Sequence, residues 1–488
     1  MSHSITFGTD GWRAIIADQF TFANVECVAY AIGQYVKRNY HNGSAKLPVL
    51  VGYDTRFLAD KFALRTAQVL IGMGVPARIS CRDVPTPVIA WAVQVEPTAG
   101  AIQLTASHNP PEYCGIKYIP DFAGPATNEI TAEIIGHLED IPEGYVAPHV
   151  DVPEFDPKPA YMEALSQRVD WKLIANSGLK IAVDLVYSTS RDYLDQVFRD
   201  CGLQVKSLHN WRDPLFGGGM PEPKPEYLKE LMKVVKEEGF DVGLATDGDA
   251  DRFAVVDEQG NYFSPNMLLS LLTRHLVKNH GMKGMVVRTV ATTHLLDHLA
   301  RAYGLETYET PVGFKYVGEV MRQKDVLIGG EESGGVSVKG HIPEKDGILA
   351  NVLLVEMLAF EKKPLSQIWA DLEAEAGVQF VYRRADLLLN PLTHRGLLER
   401  MLAAPFETIG CEQVAKVGRS DGLKFYIDDD NWILVRSSGT EPLLRLYFEG
   451  PCAATVDARV KAFENQVNEI IHELNQKYKV PVRAEAKA

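Results

Sequence analysis

Cysteine is scarce and scattered: Cys27, Cys81, Cys114, Cys201, Cys411 and Cys452 form no C-x-x-C pair and show no metal-ligand spacing. That argues against a thiolate metal module or a disulfide framework, and a reducing compartment is the simplest reading. No apolar run is long enough to cross a bilayer, and the first ten residues lack the basic start and apolar core of a signal peptide. The expectation is a cytoplasmic protein with no membrane partner. Basic residues are in deficit, 50 Lys and Arg against 64 Asp and Glu, for a formal net charge of −14. This balance speaks against a nucleic-acid partner, and any anionic substrate must be held by a local basic cluster. What is present, 46% hydrophobic and 23% charged residues over 488 positions, fits a globular enzyme of three or four domains at about 100–200 residues per domain.

Three segments repeat one pattern of strand, polar break, amphipathic helix, glycine and strand. They begin at Val49, Lys180 and Met285 and return at Gly74, Gly202 and Gly304, and each reads as a βαβ unit. After each unit a further apolar strand runs into a polar loop: Ala101–Leu104 into Ser107-His108-Asn109-Pro110, Val242–Ala245 into Asp247–Arg252, and Val326–Ile328 into Gly329–Gly335. Equivalent positions in three copies of one fold would let these loops converge on one cleft. The five prolines of 141–159 read as a linker, and Glu258–Asn261 as a turn joining the second domain to the third. Beyond about residue 384 the pattern changes to a hairpin around Asp428–Asn431 and a final helix with Val456, Val460, Phe463, Val467, Ile470, Ile471 and Leu474 on one face. The expected domains are 1–150, 158–260 and 261–383, all α/β, and a smaller α+β domain over 384–488.

Ser107 stands where a strand stops among small and polar residues, and we read it as a covalent phosphate carrier. A serine hydroxyl is a poor nucleophile, so that task needs a divalent cation for charge and a neighbour for the proton. Asp247, Asp249 and Asp251 repel one another unless a cation or solvent screens them; hard oxygen ligands favour Mg²⁺ or Ca²⁺ over zinc, and few carboxylates with room for a phosphate oxygen favour Mg²⁺. Lys117 is the candidate for proton transfer. Glu331 and Ser333 in a glycine-rich loop suit a sugar's vicinal hydroxyls. In Arg436-Ser437-Ser438-Gly439-Thr440 an arginine fork, hydroxyls and unhindered N–H groups suit a phosphate. Gly313 and Lys315 form a weaker loop, and His341, like His108, sits in a motif-rich segment without a distinctive signal.

With these loops in view the chain resembles the α-D-phosphohexomutase superfamily, the phosphoglucomutases and phosphomannomutases, and is most similar to bacterial-type phosphoglucomutases. The ordered set T-A-S-H-N-P, D-G-D-A-D-R, G-E-E-S-G and R-S-S-G-T-E-P carries the likeness. The resemblance implies four domains around a central cleft, with Ser107 as the phosphoserine. Mg²⁺ would be held by Asp247, Asp249, Asp251 and an oxygen on Ser107, and glucose 1,6-bisphosphate would be activator and intermediate. Arg13 and Lys117 match basic positions near the phosphoserine. His108, Asn109, Arg252, Gly313, Lys315, Glu331 and Ser333 would meet the substrate, and Arg436 through Thr440 would hold its distal phosphate. Two positions depart from the pattern. Ala14 stands where a glycine is usual, and Gly335 stands where many mannose- and glucosamine-type members carry histidine. The second departure favours glucose phosphate as substrate, with mannose and glucosamine phosphates as the alternative. A phosphoserine-dependent phosphatase and a non-catalytic sugar-phosphate binder are the rival readings. A monomer or homodimer is expected.

Overall fold

The computed structural model describes residues 5–8, 10–41, 46–437 and 443–478. Two compact units divide the chain, Met1–Val287 with Gly313–Leu372, and Arg288–Val312 with Glu373–Ala488.

The first unit contains two sheets built on one plan. In the first the strand order is Trp12–Ile15, Tyr113–Ile119, Ala101–Leu104, Val49–Tyr53, Ala77–Ser80, Glu154–Phe155. Val49–Tyr53 runs parallel to both neighbours, and Ala101–Leu104 turns back antiparallel into Tyr113–Ile119. In the second the order is Tyr262–Phe263, Phe253–Val256, Val242–Thr246, Lys180–Asp184, Gln204–Leu208, again with parallel inner strands and an antiparallel return. A third copy of that return pairs Val326–Gly330 with Val336–Val338. Each of the three motif loops therefore joins the same two strands of the repeat.

Local chemistry accounts for these elements. Every residue of Ala101–Leu104, Val242–Thr246 and Val326–Gly330 is buried, as unbroken apolar runs require when both sheet faces are covered. Helix Pro265–Lys278 begins at Ser264, whose hydroxyl accepts the Met267 N–H, with proline in its first turn. Helix Gly347–Glu361 begins at Asp346, whose carboxylate accepts from the N–H groups of Ile348 and Leu349.

Two expectations change. The stretch 141–159 is more than a linker, because Glu154–Phe155 adds a parallel edge strand to the first sheet. Pro153 and Pro157 bracket it, which an edge tolerates because the missing N–H costs no central ladder bond. The turn Glu258–Asn261 closes a hairpin between Phe253–Val256 and Tyr262–Phe263 inside the second sheet.

The second unit contains an antiparallel sheet in the order Val381–Leu388, Leu443–Gly450, Trp432–Ser437, Leu423–Tyr426, Lys416–Gly418. Its acidic turn is stabilised by Asp428, whose carboxylate accepts from the N–H groups of Asp430 and Asn431. Helix Ala453–Tyr478 buries Val456, Phe463, Val467 and Leu474 against this sheet. Among the described residues, no helix is long and apolar enough to cross a membrane.

Candidate active site

Ser107 has a φ of 49°, in the left-handed region where a non-glycine residue is strained. The surrounding hydrogen bonds explain how it is held there. The Ser107 N–H donates to Thr105 Oγ1 at 2.9 Å, and Thr105 donates to Asp54 Oδ2 at 2.7 Å. Arg56, wholly buried, donates from Nη2 to the carbonyls of Ser107 and Asn109 and from Nη1 to those of Pro110 and Tyr113, all within 2.9 Å. Its Nε completes the set on Asp54 at 3.0 Å. One guanidinium thus ties down four carbonyls of the serine loop, which a lysine's point charge has too few donors to do. Burial pushes the Asp54 carboxyl up to about 6, against the pull of Arg56.

The Asp247–Arg252 loop meets the serine loop directly. The Ser107 hydroxyl donates to Asp247 Oδ2 at 2.9 Å. A Cβ on Gly248 would lie 2.7 Å from the Ser107 carbonyl oxygen, so only glycine permits this approach. Ala250, at φ 59°, curls the chain so that all three carboxylates converge. Asp247, Asp249 and Asp251 are at most 1% exposed and each offers an oxygen within 4.8 Å of the others. Thr86 donates to Asp249 Oδ2 at 2.6 Å. Asp249 Oδ1 and Asp251 Oδ1 accept no hydrogen bond. Three buried acids, two of them with an oxygen that accepts no hydrogen bond, fit a hard divalent cation, which answers both the repulsion and the unmet lone pairs. Burial, reinforced by Asp251 and Asp249, pushes the Asp247 carboxyl well above the usual carboxylate range.

Two buried lysines border the triad. Lys117 Nζ lies 3.2 Å from Asp10 Oδ2, 3.7 Å from Asp249 Oδ2 and 3.9 Å from Asp251 Oδ2. Lys345 Nζ lies 3.0 Å from Asp251 Oδ2, 3.4 Å from Glu344 Oε1 and 3.9 Å from Asp10 Oδ2. Burial alone would depress both, but the surrounding carboxylates outweigh it and raise both above the ordinary lysine value. Both are therefore held protonated.

The third loop joins through Arg252 and Gly335, whose backbones form an isolated bridge. Glu331 Oε1 accepts the Gly313 N–H at 2.9 Å. Burial pushes the Glu331 carboxyl up to about 7, with Lys345 pulling the other way. Arg13 donates to Asn109 Oδ1 at 2.8 Å, and His108 Nδ1 lies 3.4 Å from Ser107 Oγ. Arg252 Nε lies 3.9 Å from Asp251 Oδ1. Lys315 donates to Asn128 Oδ1, and His341 meets Asp346 at 2.9 Å. Ser333 lies in the turn that Gly334 N–H closes on the Glu331 carbonyl. In the second unit Arg436 Nε pairs with Asp421 Oδ2 at 2.7 Å, and Ser437 Oγ is 3.2 Å from His394 Nε2. Ser438, Gly439 and Thr440 lie outside the described residues.

Asp54, Arg56, Asp10, Glu344 and Lys345 were not singled out from sequence. The D-x-R spacing at the end of Val49–Tyr53 was a usable signal for the first two. Lys345 was hidden in the Glu344-Lys345-Asp346 charge run, whose neutral appearance concealed that Asp346 is engaged as a helix cap.

The four domains described for the phosphoglucomutase/phosphomannomutase family match in order: α/β/α domain I over residues 4–144, domain II over 159–260, domain III over 264–375 and the C-terminal domain over 401–466. The chain belongs to the phosphoglucomutase/phosphomannomutase family. Within it, a Thermococcus kodakarensis phosphoglucomutase/phosphomannomutase is 32% identical over 445 residues, covering 91% of this chain and 94% of that one. A Carboxydothermus hydrogenoformans phosphoglucosamine mutase is 30% identical over 483 residues, covering 95% and 98%. The crystal structure of a Thermus thermophilus protein assigned to the phosphomannomutases matches with a TM-score of 0.85 at 34% identity, covering 96% of this chain and 100% of that one. Membership in this family makes the chain a mutase, an isomerase by class, within the α-D-phosphohexomutase superfamily.

Proposed function

We propose that this chain moves a phosphoryl group between the two ends of a hexose, by way of phosphorylated Ser107 and a hexose 1,6-bisphosphate. The observation that carries the reading is the Ser107 hydroxyl, 2.9 Å from Asp247, beside a buried carboxylate triad with two bare oxygens. Asp247, Asp249 and Asp251 would hold Mg²⁺ together with an oxygen on Ser107, and the ion when bound supplies positive charge to the phosphoryl group in transit. As the phosphorus–Oγ bond of Ser107 breaks, a new bond forms to the sugar's free hydroxyl. The hydroxyl releases a proton and Oγ takes one up. Lys117 and Lys345, held protonated by their carboxylates, suit donation towards Oγ and neutralisation of phosphoryl charge. Glu331 and Ser333 suit the sugar hydroxyls, and Arg436 with the loop after it suits the distal phosphate.

For the sugar, the relatives' names support the mannose and glucosamine alternative more than glucose alone. Gly335 argued for glucose, but a Cβ there would lie 2.5 Å from Lys345 Cδ. Lys345 fills the space that a side chain at 335 would need, so the missing histidine does not by itself select a sugar.

The test is to incubate wild type and Ser107→Ala with the 1-phosphates of mannose, glucosamine and glucose, Mg²⁺ and a catalytic amount of the matching 1,6-bisphosphate. Both 6-phosphate and inorganic phosphate are followed. Isomer from the wild type alone, with little free phosphate, is the expected result. Free phosphate without isomer would indicate a phosphatase, and neither product a binding protein.

A further inference from the structure

A second group of metal-type ligands lies outside the site just described. His275 is near the end of helix Pro265–Lys278, His280 follows that helix, and Glu356 projects from helix Gly347–Glu361. Glu356 lies ten residues after Asp346, about 15 Å further along its helix at 1.5 Å per residue. His275 Nε2 lies 2.9 Å and His280 Nε2 2.8 Å from the same oxygen, Glu356 Oε2, and the three donor atoms lie within 4.8 Å of one another. We propose that His275, His280 and Glu356 form a cation site for Zn²⁺, with water as the fourth ligand.

Four features support the assignment. Two imidazoles and one carboxylate are a recurrent zinc donor set, and three protein ligands leave a fourth position open. Tetrahedral zinc with bonds of about 2.0–2.2 Å separates neighbouring ligand atoms by roughly 3.3–3.5 Å. The two nitrogen–oxygen distances of 2.9 and 2.8 Å therefore need to lengthen by only about half an ångström as the cation replaces the two ring protons. One supporting contact is in place, Glu356 Oε1 accepting the Asp170 N–H at 2.6 Å, and a second is close by, Asn279 Nδ2 lying 2.9 Å from His275 Nδ1. A half-turn of the Asn279 amide, which gives up the 3.5 Å contact of its Nδ2 with Glu361 Oε1, lets its oxygen accept from Nδ1–H, the tautomer a zinc-bound Nε2 requires. The Phe360 ring lies 5.7 and 5.9 Å from the two imidazoles and limits their rotation. His275 and Glu356 side chains are fully buried while that of His280 is 24% exposed, so the site is open to solvent on the His280 side.

The hydrogen bonds alone also tie the two helices together, and zinc affinity separates the two roles. Metal-stripped full-length wild type, His280→Ala and Asp249→Asn are titrated with Zn²⁺ by calorimetry in excess Mg²⁺, and separately with Co²⁺, read by visible absorption. We expect wild type and Asp249→Asn each to bind one tight equivalent and to give tetrahedral Co²⁺ bands. His280→Ala, on the solvent side, should lose those bands and bind Zn²⁺ at least ~100-fold more weakly, while keeping its circular dichroism and its turnover. The proposal is overturned if His280→Ala retains the tight equivalent, if only Asp249→Asn loses it, or if wild type binds none.

Discussion

Lys345 in the first unit and Lys424 in the second are both buried lysines, and their surroundings drive them in opposite directions. Burial opposes the charge of each. Around Lys345 the carboxylates of Asp251, Glu344, Asp10 and Glu331 reverse that effect and raise it well above the ordinary value. Around Lys424 burial is joined by the Arg288 guanidinium, and Glu309 and Glu449 do not compensate, so it falls to about 8. Its ammonium donates to the Val290 carbonyl at 2.7 Å and to His294 Nε2 at 2.9 Å, and lies 4.1 Å from the centre of the Trp432 ring. His294 in turn donates from Nδ1 to the Asp429 carbonyl. The second cluster pairs its cations internally, with Glu309 Oε2 2.7 Å from Arg288 Nη1 and 3.5 Å from Lys424 Nζ. The first carries surplus anionic charge and bare oxygens, the condition of a site that takes a cation and a charged ligand. Neighbouring charge, and not burial alone, distinguishes the two.

The sharpest way to break this contrast is to remove one carboxylate of the surplus. Asp249→Asn should cut mutase turnover at least ~100-fold, while its thermal midpoint stays level or rises because repulsion in the triad is relieved. A parallel fall in both would place the triad with the structural clusters. Next in size is Arg56→Met, which leaves the buried Asp54 carboxyl and four carbonyls without their donor. A loss of about 3–5 kcal/mol in denaturant unfolding is expected, with partial recovery when Asp54→Asn is added, and an unaltered midpoint would remove Arg56 as the clamp of the serine loop.

Lys424→Met tests the other side of the comparison through pH. The folded lysine titrates near 8 and the unfolded one near 10.5, so between those values the unfolded chain binds more protons and stability rises with pH. Wild type should gain on the order of 3 kcal/mol relative to Lys424→Met across that window, and none below pH 8, where both states are protonated. Parallel curves for the two proteins would refute the shift. The smallest effect is expected from Gly335→Ala, whose methyl meets the Lys345 stem. A cost of about 1–3 kcal/mol, with turnover reduced alike for every sugar accepted, would show that Lys345 is displaced without changing selectivity.

Much of the site was legible because its chemistry is local in sequence. Three aspartates within five residues, a serine at a strand end and three similar segments each carry their signal in adjacent positions. Arg56 was not legible, because its meaning lies in four carbonyls 51 to 57 residues away. Lys345 was missed for the same reason, its partners Asp10 and Asp251 being remote in the chain. The edge strand Glu154–Phe155 escaped notice because five nearby prolines signal irregular backbone, and only its pairing with Ala77–Ser80 makes it a strand.

The amino-acid order by itself determined the repeat, the family and the identity of the serine and aspartate loops, since periodicity and short-range ligand spacing survive without coordinates. Only the tertiary structure decided which charges meet. It placed Ser107 against Asp247, 140 residues away, made Lys345 the occupant of the space beside Gly335, and gave two buried lysines opposite shifts. Electrostatic and packing energies depend on distances of a few ångströms between groups, and chain order leaves those distances open.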